Sequence, residues 1–347
     1  MLALEYQAPR TLGLTDIPAP GAGDGEIVVD VLAAGICGTD LKIFRGEHRL
    51  YPEGTVRVPG HEFVGRIREN RSERHDLTVG TLVAVAPNIG CGHCVACAGG
   101  RSNLCSFYES VGLTIDGGFA ESVLVPRRAV EQGNVIPVPD GLDPLVAVLM
   151  EPLAAVLRGF NAVDLHAGES VVVIGAGPIG LLSVVLARRL GASRVLVSQT
   201  SASRRALAVE FGADVTIDPR GEDLVTRVLE ETDAAGADCV IVATPAPGVF
   251  TDALRLAALG GRVNYFAGLP SGRGEVTIDA NLVHYRELRV TGSTANTTQD
   301  CIDALAILDD DPEAFRPLVT NRFALADGVQ AFSASADGSE LKVVVEP

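Results

Sequence analysis

The sequence predicts an α/β chain in two parts, a β-rich, turn-rich domain and a doubly wound parallel sheet. Three observations carry this. Up to about residue 150, short apolar runs are broken by Gly and Pro clusters such as 18–21 and 58–60. After residue 153, strand-length apolar runs alternate with helical stretches, as in a parallel sheet covered on both faces. The first of those later runs opens directly into Gly175-Ala176-Gly177-Pro178-Ile179-Gly180. With 347 residues, 47% of them hydrophobic, the chain is long enough for two ordinary cores.

Taken in order, strands are expected at 27–32 and 82–85, and the mixed charge run 66–76 is expected to be a solvated hairpin or loop. In the second part, strands are expected at 170–174, 194–198, 215–217, 239–243, 262–266 and 288–291. Helices between them are expected at 178–190, 203–211, 223–231 and 248–259. The tail is expected to hold one helix, 298–308, and a final strand, 341–345.

The glycines have separable duties. Gly175 allows the tight turn, Gly177 lets the backbone approach a pyrophosphate, and Gly180 allows close helix–strand packing. Pro178 and Ile179 begin a helix whose free N–H groups suit phosphate. An acid about 20 residues further on would bond the ribose 2′-hydroxyl of NAD. Here the count, 19 beyond Gly180, reaches Gln199, next to Ser198, and no carboxylate occurs from Val197 to Arg205. Arg204 or Arg205 could pair with a 2′-phosphate. The cofactor is therefore expected to be NAD(P), leaning to NADP or dual use.

Composition excludes several classes. A net charge of −16, from 28 basic and 44 acidic residues, argues against nucleic acid and anionic membrane as partners. No 18-residue apolar run occurs, and the N-terminus lacks the basic and apolar regions of a signal peptide. A soluble, cytoplasmic protein is expected. Lys42 and Lys342 are the only lysines, a skew toward arginine that points to no function.

Cysteine placement is more telling. Cys91, Cys94, Cys97 and Cys105 fall within fifteen residues, spaced C-x2-C-x2-C-x7-C. Four thiolates on a short glycine-rich lobe suit a closed tetrahedral zinc site, with an iron–sulfur cluster as the rival for this spacing. His93 is surplus to it and is expected to face solvent. A second set is dispersed: Cys37, His61, Glu62 and Glu151. A thiolate, an imidazole and a carboxylate could hold zinc with an open position, but spacing alone does not join them.

A family resemblance does. Cys37-Gly38-Thr39-Asp40, Gly60-His61-Glu62 through Gly65, the four-cysteine lobe, Glu151-Pro152-Leu153-Ala154 and the glycine motif follow in that order. The chain resembles the zinc-dependent medium-chain dehydrogenases over almost its whole length, with the polyol branch (sorbitol, iditol and threonine dehydrogenases) nearest. The resemblance implies a GroES-like catalytic domain at 1–156 and 294–347 and a Rossmann domain at 157–293, with substrate and nicotinamide meeting in the cleft between them. It implies two zinc ions per chain, one structural and one catalytic, the latter on Cys37, His61 and a Glu at Glu151 or Glu62. It also implies that Thr39 handles the substrate proton and Asp40 orients His61, and that the chain forms a homodimer or homotetramer. Two departures stand out: Lys42 replaces the His many relatives carry, leaving His48 as a candidate outer relay, and the usual second glycine after Gly65 is missing.

The expected reaction is zinc-dependent hydride transfer between NAD(P) and a secondary alcohol of a polyol, sugar or cyclitol. The polar loop 42–57, with Lys42, Arg45, Glu47, His48, Arg49 and Tyr51, suits a hydroxylated substrate better than an aliphatic one. The alternatives are a simple or amino-acid-type secondary alcohol, or a nucleotide-binding protein without catalysis.

Overall fold

A computed structural model describes residues 1–270 and 272–347. The chain divides into two compact units, Met1–Ala154 with Ala295–Pro347, and Ala155–Thr294.

The first unit is built around the strand Ile27–Ile36, whose β-branched and small residues are buried on both faces, as a central strand requires. It pairs antiparallel with Glu62–Asn70, Ser122–Val125 and Lys342–Glu346. Val319–Ala324 extends the sheet on one side, and Leu82–Val85 with Val135–Pro137 on the other. Phe63, Ile67, Val83, Phe119 and Phe332 fill its core. The register sets Gly35 opposite both Glu62 and Val344. Cys37, His61, Glu62 and Lys342 therefore lie at neighbouring strand ends. A Cβ on Gly35 would come within 2.4 Å of Glu62 Oε2, so only glycine lets that carboxylate lie where it does.

One expectation holds and one changes. The charge run 66–76 is the hairpin expected: the strand Glu62–Asn70 pairs antiparallel with Leu82–Val85, Arg66 opposite Leu82, and residues 71–76 belong to their connection. Its charges alternate with period two: Ile67 is buried, Arg66 is exposed, and Arg68 donates to Ser122 Oγ at 2.8 Å. The tail holds more than one helix and one strand. Val319–Ala324 alternates half-buried and exposed residues, and Gly328–Asp337 is a helix rich in Ala and Ser, so neither offers a strong apolar period.

The second unit is a six-stranded parallel sheet in the order Val215–Ile217, Arg194–Ser198, Ser170–Ile174, Ala237–Val242, Ala257–Tyr265, Arg289–Gly292. Numbered within the unit this is 3-2-1-4-5-6, and the order reverses beside Ser170–Ile174, where a doubly wound sheet binds its ligand. The helix expected at 248–259 spans Pro247–Leu256 and stops there, because Ala257 joins Ala237 in the ladder and Gly260 turns at φ +71°. Among the described residues no helix is long and apolar enough to cross a membrane.

Candidate metal centres and cofactor site

The sulfurs of Cys91, Cys94, Cys97 and Cys105 all lie within 4.8 Å of one another. Zinc–sulfur bonds of about 2.3 Å in a tetrahedron would set sulfurs about 3.8 Å apart. The Cys94–Cys105 separation is 3.8 Å. Backbone amides favour thiolates: Cys91 N–H donates to Cys105 Sγ at 3.2 Å and Cys94 N–H to Cys91 Sγ at 3.3 Å. Such bonds bring the Cys91 thiol down to about 6, while desolvation holds Cys97 at about 11. A Cβ on Gly90 would meet Cys97 Sγ at 2.6 Å, so the chain folds tightly under the cluster. His93 is exposed, its Nδ1 2.9 Å from the Cys91 carbonyl. The donor set suits a closed metal site.

The second cluster gathers Cys37, His61 and Glu62, whose ligand atoms also lie within 4.8 Å of one another. Cys37 caps the helix Gly38–Phe44, and its sulfur accepts the Thr39 N–H at 3.1 Å. Asp40 returns a bond to Cys37 N–H at 3.0 Å, which places its other oxygen 3.7 Å from His61 Nδ1. Neither of those two atoms has a hydrogen-bond partner among the described residues. His61 Nε2 lies 3.2 Å from Cys37 Sγ. Gly60, at φ +98° against Phe119, makes the turn that delivers His61. Desolvation works to lower the pKa of His61, yet Cys37, Asp40 and Glu151 together push it well up. Desolvation, then Asp40, raises that of Cys37. Both ligands thus tend to hold protons that a bound cation would displace.

Glu62 is only 1% exposed and is bonded to Lys342 Nζ at 2.5 Å. Lys342 also donates to the Ile36 carbonyl at 3.3 Å. Glu151 does not join the three-residue cluster: its Oε1 accepts from Asn296 at 2.7 Å. Cys37, Asp40, Glu62 and Glu151 bring four acidic groups to a site whose basic groups are Lys342 and His61. That charge balance fits a divalent cation. Lys342 and Asn296 were not singled out in the sequence. Lysine within the apolar run 341–345 was the one available signal, while Asn296 gave none.

His48 is half-buried, and desolvation, helped by Arg49, His61 and Lys42, pulls its pKa down to about 4. Lys42, Arg45, Glu47 and Arg49 are exposed, Arg45 pairing with Glu47 at 3.3 Å. Tyr51 is buried, and its hydroxyl donates to the Gly112 carbonyl at 2.9 Å.

In the second unit Gly175 turns at φ +110°, and a Cβ on Gly180 would come within 1.9 Å of Gly175 O. A Cβ on Gly177 would meet nothing within 4 Å. Pro178 and Ile179 open the helix Pro178–Arg189, capped by Gly177. A cavity of about 410 Å³ is lined by Gly175, Ser198, Gln199, Thr200, Asp223 and Asp252, among others. Arg204 stands in the first turn of the helix Ala202–Glu210 and is not among the lining residues. Arg205 is committed to the Gln199 and Thr200 carbonyls and to Asp218, at 2.7, 3.0 and 3.1 Å.

Two family models match the chain: the alcohol dehydrogenase GroES-like domain over residues 23–140 and the zinc-binding dehydrogenase over 178–310. An L-threonine 3-dehydrogenase of Thermococcus kodakarensis is 34% identical over 345 residues, spanning 96% of this chain and 94% of the relative. The chain belongs to the zinc-dependent medium-chain dehydrogenases. Solved relatives agree. A zinc-binding dehydrogenase from Sinorhizobium meliloti 1021 bound to NADP is 35% identical, with TM-score 0.90 over 100% of this chain and 99% of that one. The 2R,3R-butanediol dehydrogenase of Bacillus subtilis is 27% identical, with TM-score 0.90 over the same shares. The chain is therefore an enzyme, an NAD(P)-dependent dehydrogenase of the zinc-type alcohol and polyol class. Its first unit carries the GroES-like domain and its second the dinucleotide-binding sheet.

Proposed function

We propose that this dehydrogenase oxidises a secondary alcohol on a polyhydroxylated chain or ring. Cys37, His61 and Glu62 are the protein ligands of a catalytic zinc, and the four-cysteine lobe holds a structural one. The observation that carries this reading is the Cys37–His61–Glu62 cluster with Asp40 behind the imidazole. A zinc ion held there would supply Lewis-acid polarisation of the alcohol oxygen, and a bound NAD(P) would supply the hydride acceptor. The chain's own residues do the rest. The Asp40 carboxylate lies behind the His61 ring, Oδ1 3.7 Å from Nδ1, and its charge favours the orientation in which Nε2 faces Cys37. Thr39, half-buried beside Cys37, relays the alcohol's proton, accepting it at Oγ1 as its own hydroxyl proton passes outward, and His48, neutral at working pH, hands that proton on to solvent. Glu151 lies beside the ligands on its Asn296 bond.

The relatives support the substrate class. L-Threonine and 2R,3R-butanediol, named for two of them, each carry a second nitrogen or oxygen on the carbon next to a secondary alcohol. NADP is accepted at least as well as NAD, because Gln199 puts no carboxylate against a 2′-phosphate. Seven free thiols suit a reducing, cytoplasmic setting, and the family relation supports a homodimer or homotetramer. The test is turnover of sorbitol, an inositol, 2R,3R-butanediol, L-threonine and 2-butanol at equal concentration with each cofactor. Polyhydroxylated compounds should lead. Faster turnover of 2-butanol than of all of them contradicts the reading, and L-threonine in the lead moves it to amino-acid-type alcohols.

A further inference from the structure

Glu151 is tied into a chain of hydrogen bonds that begins at the foot of the four-cysteine lobe. Asn88 lies three residues before Cys91, in the short strand Asn88–Ile89, which pairs with Glu109–Ser110 just past Cys105. The two strands thus close the neck of the lobe. The Tyr108 hydroxyl donates to Asn88 Oδ1 at 2.5 Å. Asn88 Nδ2 donates to the Asn296 carbonyl at 3.1 Å and to Asn296 Oδ1 at 2.7 Å. Asn296 Nδ2 donates to Glu151 Oε1 at 2.7 Å and to the Glu151 carbonyl at 3.2 Å. Asn296 is 0% exposed and Asn88 4%, so water does not substitute for these partners.

The chain has a direction. Every donor points toward Glu151: flipping Asn296 would set N–H against N–H and oxygen against carboxylate, and flipping Asn88 would set its oxygen against the two Asn296 oxygens. Asn296 is itself fixed by the following turn, where Thr297 and Asp300 form a capping box on the helix Thr298–Asp310. Among the described residues no other side chain donates a hydrogen bond to the Glu151 carboxylate.

We propose that Asn296 is a positioning residue that holds the Glu151 carboxylate beside the Cys37–His61–Glu62 ligands and links it, through Asn88, to the neck of the four-cysteine lobe. This rests on the reading that those ligands hold the catalytic zinc. Outer groups that support a metal site alter its metal affinity on the order of 10–100-fold when lost, and Asn296 acts through the Glu151 carboxylate beside the ligands.

The experiment measures how fast a chelator removes the more labile zinc from the holoenzyme and from the variants Asn296→Asp, Asn88→Ala and the two combined. Asn296→Asp preserves volume and still accepts from Asn88, yet turns an acceptor toward Glu151. Each single variant should lose that zinc on the order of tenfold faster. The double variant should be no faster than the faster single, as expected of two residues in one relay. Adding Glu151→Gln to Asn296→Asp supplies a donor again and should slow the release, a rescue that a merely structural role would not give. Unchanged release in folded Asn296→Asp, or additive effects in the double variant, overturns the proposal. A wild-type enzyme with no labile zinc overturns the reading beneath it instead.

Discussion

Lys342 and Glu62 form an ion pair whose side chains are 3% and 2% exposed, next to the proposed zinc ligands. Two buried charges hold each other in place, and removing one leaves the other stranded at a cost of about 3–5 kcal/mol. In the metal-free protein Lys342→Met should lower the Tm markedly, and adding Glu62→Gln should recover most of the loss. A Tm unchanged by Lys342→Met contradicts the pairing. His48 gives a prediction of sign. Its pKa falls from 6.5 to about 4 on folding. As pH drops through 6.5 the unfolded chain binds the proton first, so stability declines between about 6.5 and 4. His48→Gln should flatten that part of the stability profile, and an NMR titration should find the ring neutral at pH 5. A folded-state midpoint near 6.5 would refute it. These residue-level facts were unevenly legible in the sequence. Cys37, His61 and Glu62 were found through motif order, but the choice of Glu62 over Glu151 in the cluster depends on tertiary placement. Lys342 reaches a carbonyl 306 positions away, which no local pattern records.

The glycine motif and the four-cysteine lobe are the elements most plainly written in the chain, because each packs its chemistry into a few consecutive residues. Their glycines should nevertheless respond differently. Gly180→Ala forces a Cβ to within 1.9 Å of Gly175 O and should destabilise the second unit by roughly 1–3 kcal/mol. A Cβ at Gly177 meets nothing within 4 Å, so Gly177→Ala should leave the Tm alone and raise the KM for cofactor. The reverse pattern would mean that the helix and strand, not the cofactor, set the requirement at Gly177. Elements with weak periods were harder to read. The strand Glu62–Asn70 hides its alternation under charge, and Val319–Ala324 exposes every second residue. Cofactor choice belongs to this scale too. Gln199→Asp, at the end of Arg194–Ser198, should turn preference toward NAD by about tenfold in kcat/KM, since a carboxylate there bonds the 2′-hydroxyl and repels a 2′-phosphate. A variant that uses NADP as well as before would show that Gln199 does not face the ribose.

At the scale of the whole molecule, the first unit is completed by the returning tail, which adds Asn296 and Lys342 to ligands supplied by the first 154 residues. The doubly wound sheet was legible because strands and helices alternate in order, whereas a site assembled from both ends of the chain becomes visible only once folded. The central claim is that two metal sites of different kinds lie on one chain, one closed by four thiolates and one left open for substrate. Metal analysis of the purified wild type and of Cys37→Ser tests it most directly. The account predicts two zinc ions per wild-type chain, one per Cys37→Ser chain, and turnover lost with the second. One zinc per wild-type chain, iron with visible absorbance, or full turnover in Cys37→Ser would contradict it.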